Sequence, residues 1–290
     1  MTTYNAISKT AQNIARFNGV GYSHSGLISA SGPQLSSPDW SFTDDFSGSR
    51  NTSIYTKSTF TTYGFNDNGN TVLSANYAPE GITAGYHADS EQEITLPINA
   101  VQVLLKFREF IPASYTSANC GNQKTVGFWS GAYGTIYANI SVTSECWPVN
   151  GNGIPSIYTG NDGVNYGHFQ IPNNAGTPLW LAGDGNWHKT WALIELAQSP
   201  GDFGRYRIWR DGNVIVDSNN TAYDSYMPDV SCRDTLHYSS RGNFIDKVRM
   251  FGWCNVKSGS ETAAFAGTVH FLYDDLEIYA NATHKTIAGV

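Results

Sequence analysis

The stretch 187–218, WHKTWALIELAQSPGDFGRYRIWRDGNVIVDS, most narrows what this chain can fold into. Side chains along a strand alternate between its two faces. Trp187, Trp191 and Leu193 are separated by even numbers of residues and belong on one face, with Ile194 and Leu196 on the other. Ser199, Pro200, Gly201 and Asp202 then supply turn chemistry. A second alternation follows, with Tyr206, Ile208 and Arg210 facing one way and Arg207 and Trp209 the other. Asp211-Gly212 is a strong hairpin signal, because a type I′ turn needs positive φ at both central positions. Val214 and Val216 open the return strand, so the stretch reads as an antiparallel meander.

The same punctuation runs through the rest of the chain. Strand-like segments fall at 53–62, 71–76, 85–88, 93–96, 100–111, 125–130, 135–143, 166–171, 244–253 and 269–279. With 29 Gly, 17 Tyr and 8 Trp against 14% charged residues, the composition is that of a turn-rich β protein. Residues 149–163, VNGNGIPSIYTGNDG, read as a long Gly/Asn loop, and 219–241 as a second irregular region. Residues 1–38 carry little strand pattern. A short helix over 6–17 and a Ser/Pro/Gly cluster mark an arm, which puts the domain at 39–290.

The pattern G-x-W-H-x … G-x-[FY]-x-[IV]-W-x-D-G-x-x-[IV] is carried by Gly185, Trp187, His188, Tyr206, Ile208, Trp209, Asp211, Gly212, Val214 and Val216. It resembles the central meander of the concanavalin A-like jelly rolls. FTDDFSG (residues 42–48) resembles their first strand and FLYDDLEIYA (271–280) their last. The resemblance implies an all-β, two-sheet antiparallel jelly-roll sandwich over about residues 40–282, preceded by the extended arm. It says little about function, because this architecture hosts binders, enzymes and structural proteins.

Net charge is −7 with no basic run, which argues against nucleic acid as a partner. No window approaches 18 apolar residues, so no membrane insertion is expected, and the first 17 residues lack the apolar core of a secretory signal. The chain is therefore expected to be made in the cytoplasm. Cys120, Cys146, Cys232 and Cys254 show no C-x-x-C spacing, which excludes the usual zinc patterns. The most local pairing would be Cys120–Cys146 with Cys232–Cys254, although free buried thiols suit a chain without a signal.

Glycosidase chemistry on this fold would use alternate carboxylates of an E-x-D-x-E strand, and none is present. Glu91 and Glu93 have the spacing but precede Pro97 in what reads as an edge segment. A lyase needs a Tyr or His base and a cation or amide to neutralise a uronate carboxylate. Arg108, His168, Gln170 and Tyr238 are candidates, but the alginate-lyase motifs R-x-E, Q-x-H and Y-F-K-x-G-x-Y are not intact. No catalytic residue is therefore assigned. The candidate carbohydrate-binding set is Arg108, Trp129, His168, Gln170, Tyr238 and Trp253, with Lys106 sharing the face of Arg108. Each aromatic has a plain alternative role as core filler. No metal site is assigned, although Asp44-Asp45 and Asp274-Asp275 would suit a structural calcium if the first and last strands pair.

With no intact catalytic motif, the leading expectation is a non-enzymatic assembly protein of a virion or extracellular particle, such as a phage capsid decoration or tail component. Residues 1–38 would contact other protein subunits of an oligomer, and the jelly roll would bind a surface polysaccharide. The alternatives are a free lectin-like module and a polysaccharide lyase acting on a uronate-containing glycan.

Overall fold

The computed structural model describes residues 32–77, 82–83, 87–88, 90–113, 120–131, 140–149, 152–161, 164–170, 185–199, 202, 204–217, 244–250, 254–256 and 268–288. The expected helix at 6–17, the region 219–241, Tyr238 and Trp253 lie outside them. Among the described residues every regular element is a strand. In chain order these are β1 (Gln34–Leu35), β2 (Trp40–Asp44), β3 (Tyr55–Thr59), β4 (Thr61–Asp67), β5 (Asn70–Tyr77), β6 (Ile82–Thr83) and β7 (His87–Ala88). Next come β8 (Glu91–Ala100), β9 (Gln102–Phe110), β10 (Cys120–Trp129), β11 (Ile140–Val149), β12 (Asn152–Asn161) and β13 (Val164–Gln170). The chain closes with β14 (Trp187–Glu195), β15 (Arg205–Arg210), β16 (Asn213–Asp217), β17 (Ile245–Met250), β18 (Cys254–Val256), β19 (Val269–Asn281) and β20 (Ile287–Ala288).

Among the described residues two large antiparallel sheets result, with β1 and β20 forming a separate two-stranded pair. The eight-stranded sheet runs β16-β15-β14-β9-β19-β5-β4, with β2 on the second half of β19. The ten-stranded sheet runs β13-β12-β11-β10-β17-β8-β3, extended by β18, β7 and β6. The expected meander is the β14-β15-β16 end of the first sheet, and φ of 49° at Asp211 and 82° at Gly212 fits its two-residue turn. The chain changes sheet at Val101, between β8 and β9.

The inner faces form one core. Val103, Leu105 and Phe107 of β9 and Ala192 and Ile194 of β14 meet Ile94 and Leu96 of β8, Val126 and Phe128 of β10, and Val248 and Met250 of β17. Phe128 meets Tyr206 edge-on across the layers, with ring centroids 6.0 Å apart. The apolar alternation of β9 ends at Glu109, which is buried on the core side and accepts a 2.6 Å hydrogen bond from the Thr190 hydroxyl.

Four expectations change. Residues 152–161 form β12, paired on both sides, so the Gly/Asn stretch is not a long loop. Strand preference depends on what flanks a segment, and two ladder partners outweigh its turn-like composition. β8 lies between β17 and β3 and is not an edge. The segment 53–62 splits at Phe60, φ 46°, into β3 on one sheet and β4 on the other. Residues 32–38 belong to the domain: β1 pairs with β20, and Leu35 is buried against Leu104, Trp191, Leu193 and Trp209 on the outer side of the eight-stranded sheet. Cys120, Cys146 and Cys254 can be placed by backbone register, whereas Cys232, and with it the Cys232–Cys254 pairing, lies outside the described residues. Cys146 stands opposite Gln123, three residues from Cys120, so roughly 10 Å along the strand separates the most local pair.

Candidate functional site

The outer face of the ten-stranded sheet carries a line of polar positions. Ile94 and Leu96 of β8 point into the core, so Glu91, Glu93 and Thr95 take the other face. On β17, Val248 and Met250 are core residues and Lys247 and Arg249 alternate with them. On β10, Val126 and Phe128 are core residues and Trp129 takes the opposite face. The register then aligns one row across seven strands: Lys57, Glu93, Arg249, Gly127, Thr143, Tyr158 and His168. At roughly 4.8 Å per strand spacing, the row spans about 29 Å. Gln170 stands two residues beyond His168 on the same strand, opposite Ser156.

The charged groups of this face are interlocked. Glu91, 3% exposed, receives Lys57 Nζ at 2.7 Å and Arg249 Nη1 at 3.3 Å. Arg249, 1% exposed, lies over the Trp129 ring with its guanidinium carbon 5.0 Å from the centroid. Lys247 Nζ sits 3.5 Å from Glu93 Oε1 and donates to Thr95 Oγ1 at 3.2 Å. Thr56 Oγ1 donates to Glu93 Oε1 at 3.1 Å. The set holds three cations, Lys57, Lys247 and Arg249, against two carboxylates. Lys57 and Lys247 reach solvent and can pair with carboxylates of a ligand, Glu93 can accept hydrogen bonds from its hydroxyls, and the buried Arg249–Glu91 pair holds them in place.

The sequence candidates fall as follows. Trp129, His168 and Gln170 all belong to this sheet. Trp129 is fully buried, so it backs the Arg249 guanidinium and offers no free ring for sugar stacking. Arg108 does not join them, because β9 is the central strand of the other sheet and Arg108 faces that sheet's outer side. Lys106 and Arg108 do share a face, as the alternation predicts, and line a cleft of about 890 Å³ with Asp45, Lys189, Asp275 and Glu277. Sequence reasoning missed Lys57, Lys247 and Arg249. The alternation Lys247-Val248-Arg249-Met250 was the available signal, since two cations two apart on an apolar strand mark one polar face.

The first and last strands pair as expected: Asp44 stands opposite Leu276, beside the Asp274-Asp275 bulge. The two acidic pairs are occupied with other partners. Asp44 accepts from the Tyr55 and Tyr63 hydroxyls at 2.7 and 2.9 Å, and Arg108 lies against Asp274 and Asp275. Among the described residues no three His, Cys, Asp or Glu side chains gather so as to hold a metal ion.

No protein-family model and no curated protein matches the chain. Among solved structures, an alginate lyase (Aly36B) superposes with a TM-score of 0.56 at 12% identity, over 84% of this chain and 98% of that one. A mutant of the same enzyme in complex with an alginate tetrasaccharide gives a TM-score of 0.54 at 11% identity, over 84% and 98%. An endo-β-1,4-glucuronan lyase from the fungus Trichoderma reesei gives 0.49 at 11% identity, over 84% and 96%. At these identities the likeness is one of fold, and the chain has the concanavalin A-like jelly-roll fold that its meander and its first and last strands resemble.

Proposed function

We propose that this protein binds an acidic polysaccharide along the outer face of its ten-stranded sheet. The observation that carries the reading is the row from Lys57 to His168, with Lys57, Lys247 and Arg249 set among Glu91 and Glu93. Repeated carboxylates on a sugar chain match cations spaced along a groove, and neighbouring acids suit the hydroxyls. The similar solved structures named above include an enzyme in complex with an alginate tetrasaccharide, which favours a glycan over a protein partner. The assembly reading, with residues 1–38 as its contact, has no comparable observation in its support, and residues 34–35 are occupied within the domain.

Binding is measured by affinity electrophoresis of the full chain in gels containing alginate, polyglucuronate or a neutral β-glucan. Retardation by the uronate polymers alone is expected. Lys57→Ala with Lys247→Ala should weaken it by about tenfold, the cost of one to two charge-assisted contacts. Equal mobility in all gels contradicts the reading. Absorbance near 235 nm in the same mixtures tests the lyase alternative, because β-elimination leaves an unsaturated uronate. Its appearance, with loss on His168→Ala, would make the row an active site.

A further inference from the structure

The cleft on the opposite side of the molecule has different chemistry. Register across β14, β9 and β19 stacks three rows on the outer face of the eight-stranded sheet: Trp187, Phe110, Leu272; Lys189, Arg108, Asp274; and Trp191, Lys106, Glu277. Arg108 is the centre of the middle row and is 5% exposed. The Trp187 ring lies 4.9 Å from its guanidinium carbon and fixes the plane of the group. Nη1 reaches Asp275 Oδ2 at 3.4 Å and Asp274 Oδ2 at 3.7 Å, both long for a charge-assisted bond. Nη2 is buried with no hydrogen-bond partner. A buried guanidinium with one committed and one uncommitted nitrogen is half of a bidentate carboxylate receptor.

We propose that this cleft is a second binding site, for a single carboxylate carried on a hydroxylated, sugar-sized ligand. The volume, about 890 Å³, is that of a small-molecule pocket. Arg108 lines the cleft and takes the carboxylate by turning its buried, unpartnered Nη2 toward it, with Lys189 beside it on the neighbouring strand. Burial and the adjacent Arg108 hold the Lys189 amine below the usual lysine range, against the raising effect of Asp275, Asp211 and Glu277. The lining also includes Thr43, Ser49, Asn51, Asp45 and Glu277, which exchange hydrogen bonds with hydroxyls. Those carboxylates repel a polyanion, so the site selects one acidic unit, whereas the row on the other sheet suits a run of them. Gln34 of β1 also lines the cleft.

The probe is glucuronate, titrated into the full-length protein by calorimetry, with methyl glucoside as the neutral control and an alginate tetrasaccharide as the polyanionic one. Saturable binding of glucuronate in the millimolar range or tighter is expected, with methyl glucoside weaker by about tenfold or more. Arg108→Gln should abolish it, while Lys57→Ala with Lys247→Ala on the far face should leave it unchanged. If Arg108→Gln does not fold, Ser49→Trp fills the exposed wall of the cleft and should remove binding by itself. Absence of saturation, equal affinity for the neutral sugar, or loss only in the Lys57/Lys247 variant would overturn the proposal. The last outcome would assign all uronate binding to the ten-stranded sheet. Failure of polysaccharide binding with glucuronate binding intact would count against the other site alone.

Discussion

Asp274 is the residue whose environment leaves the clearest trace in solution. Burial and the neighbouring Asp275 raise its carboxyl from 3.8 to about 7, against the lowering effect of Arg108. An unfolded Asp ionises near 3.8, whereas the folded one keeps its proton to about 7. Folding therefore carries an ionisation cost that is absent below pH 4 and grows as the pH rises to 7, to at most about 4 kcal/mol. Asp274→Asn removes that slope. Its melting temperature should gain on the wild type steadily between pH 4 and 7, and a difference independent of pH would show that Asp274 is ionised throughout. Asp211 has the opposite sign. Hydrogen bonds from His188 Nδ1 at 2.6 Å and the Lys189 amide at 2.9 Å outweigh its burial and lower its pKa. Asp211 is about half exposed and screened by solvent, so Asp211→Ala should cost at most about 1 kcal/mol near neutral pH, and less as acid protonates the wild-type carboxyl. Single residues of the site were only partly legible. His168 and Gln170 were found because alternation puts them two apart, but nothing local says that His168 shares a row with Arg249, since that row is assembled from six strand pairings.

At the scale of elements, the join of the two termini explains why the domain begins before Asp39. Lys285 Nζ binds the Ser37 carbonyl at 2.7 Å and pairs with Asp39, and the Ala282 amide donates to Asp39 Oδ2 at 2.9 Å. Both side chains of this pair reach solvent, so it is a geometric clasp rather than a large energy term. The apolar contact beneath it matters more. Leu35 covers Trp191, Leu193 and Trp209, and a Cβ at Gly32 would collide with the Trp191 ring. A chain beginning at Asp39 should lose about 2–4 kcal/mol by exposing that cluster, with a red shift in tryptophan emission. A chain beginning at Gly32 keeps that contact and should melt above the one beginning at Asp39. Equal stability of the two truncations would refute the clasp. The meander was readable because Asp211-Gly212 and period-two alternation act within a few residues. β12 and the interior position of β8 were not, since both depend on partners distant in sequence.

For the whole molecule, the sandwich presents two polar faces around one core. The outer face of the ten-stranded sheet has charges spread along a row, and that of the eight-stranded sheet has them gathered round Arg108. The architecture followed from the sequence because meander, first strand and last strand are each short-range patterns, and β2 pairs with β19 as that resemblance implies. The function did not follow, because Arg108 and Trp129 were grouped by residue type while the chain's change of sheet at Val101 separates them. The most direct test of the central claim is the position of an alginate tetrasaccharide in a crystal of the full chain. The account predicts sugar density over Lys57 and Lys247, running along the row across β8, β17 and β10. A tetrasaccharide found only on the β9-β14-β19 side, or none at saturating concentration, would contradict it.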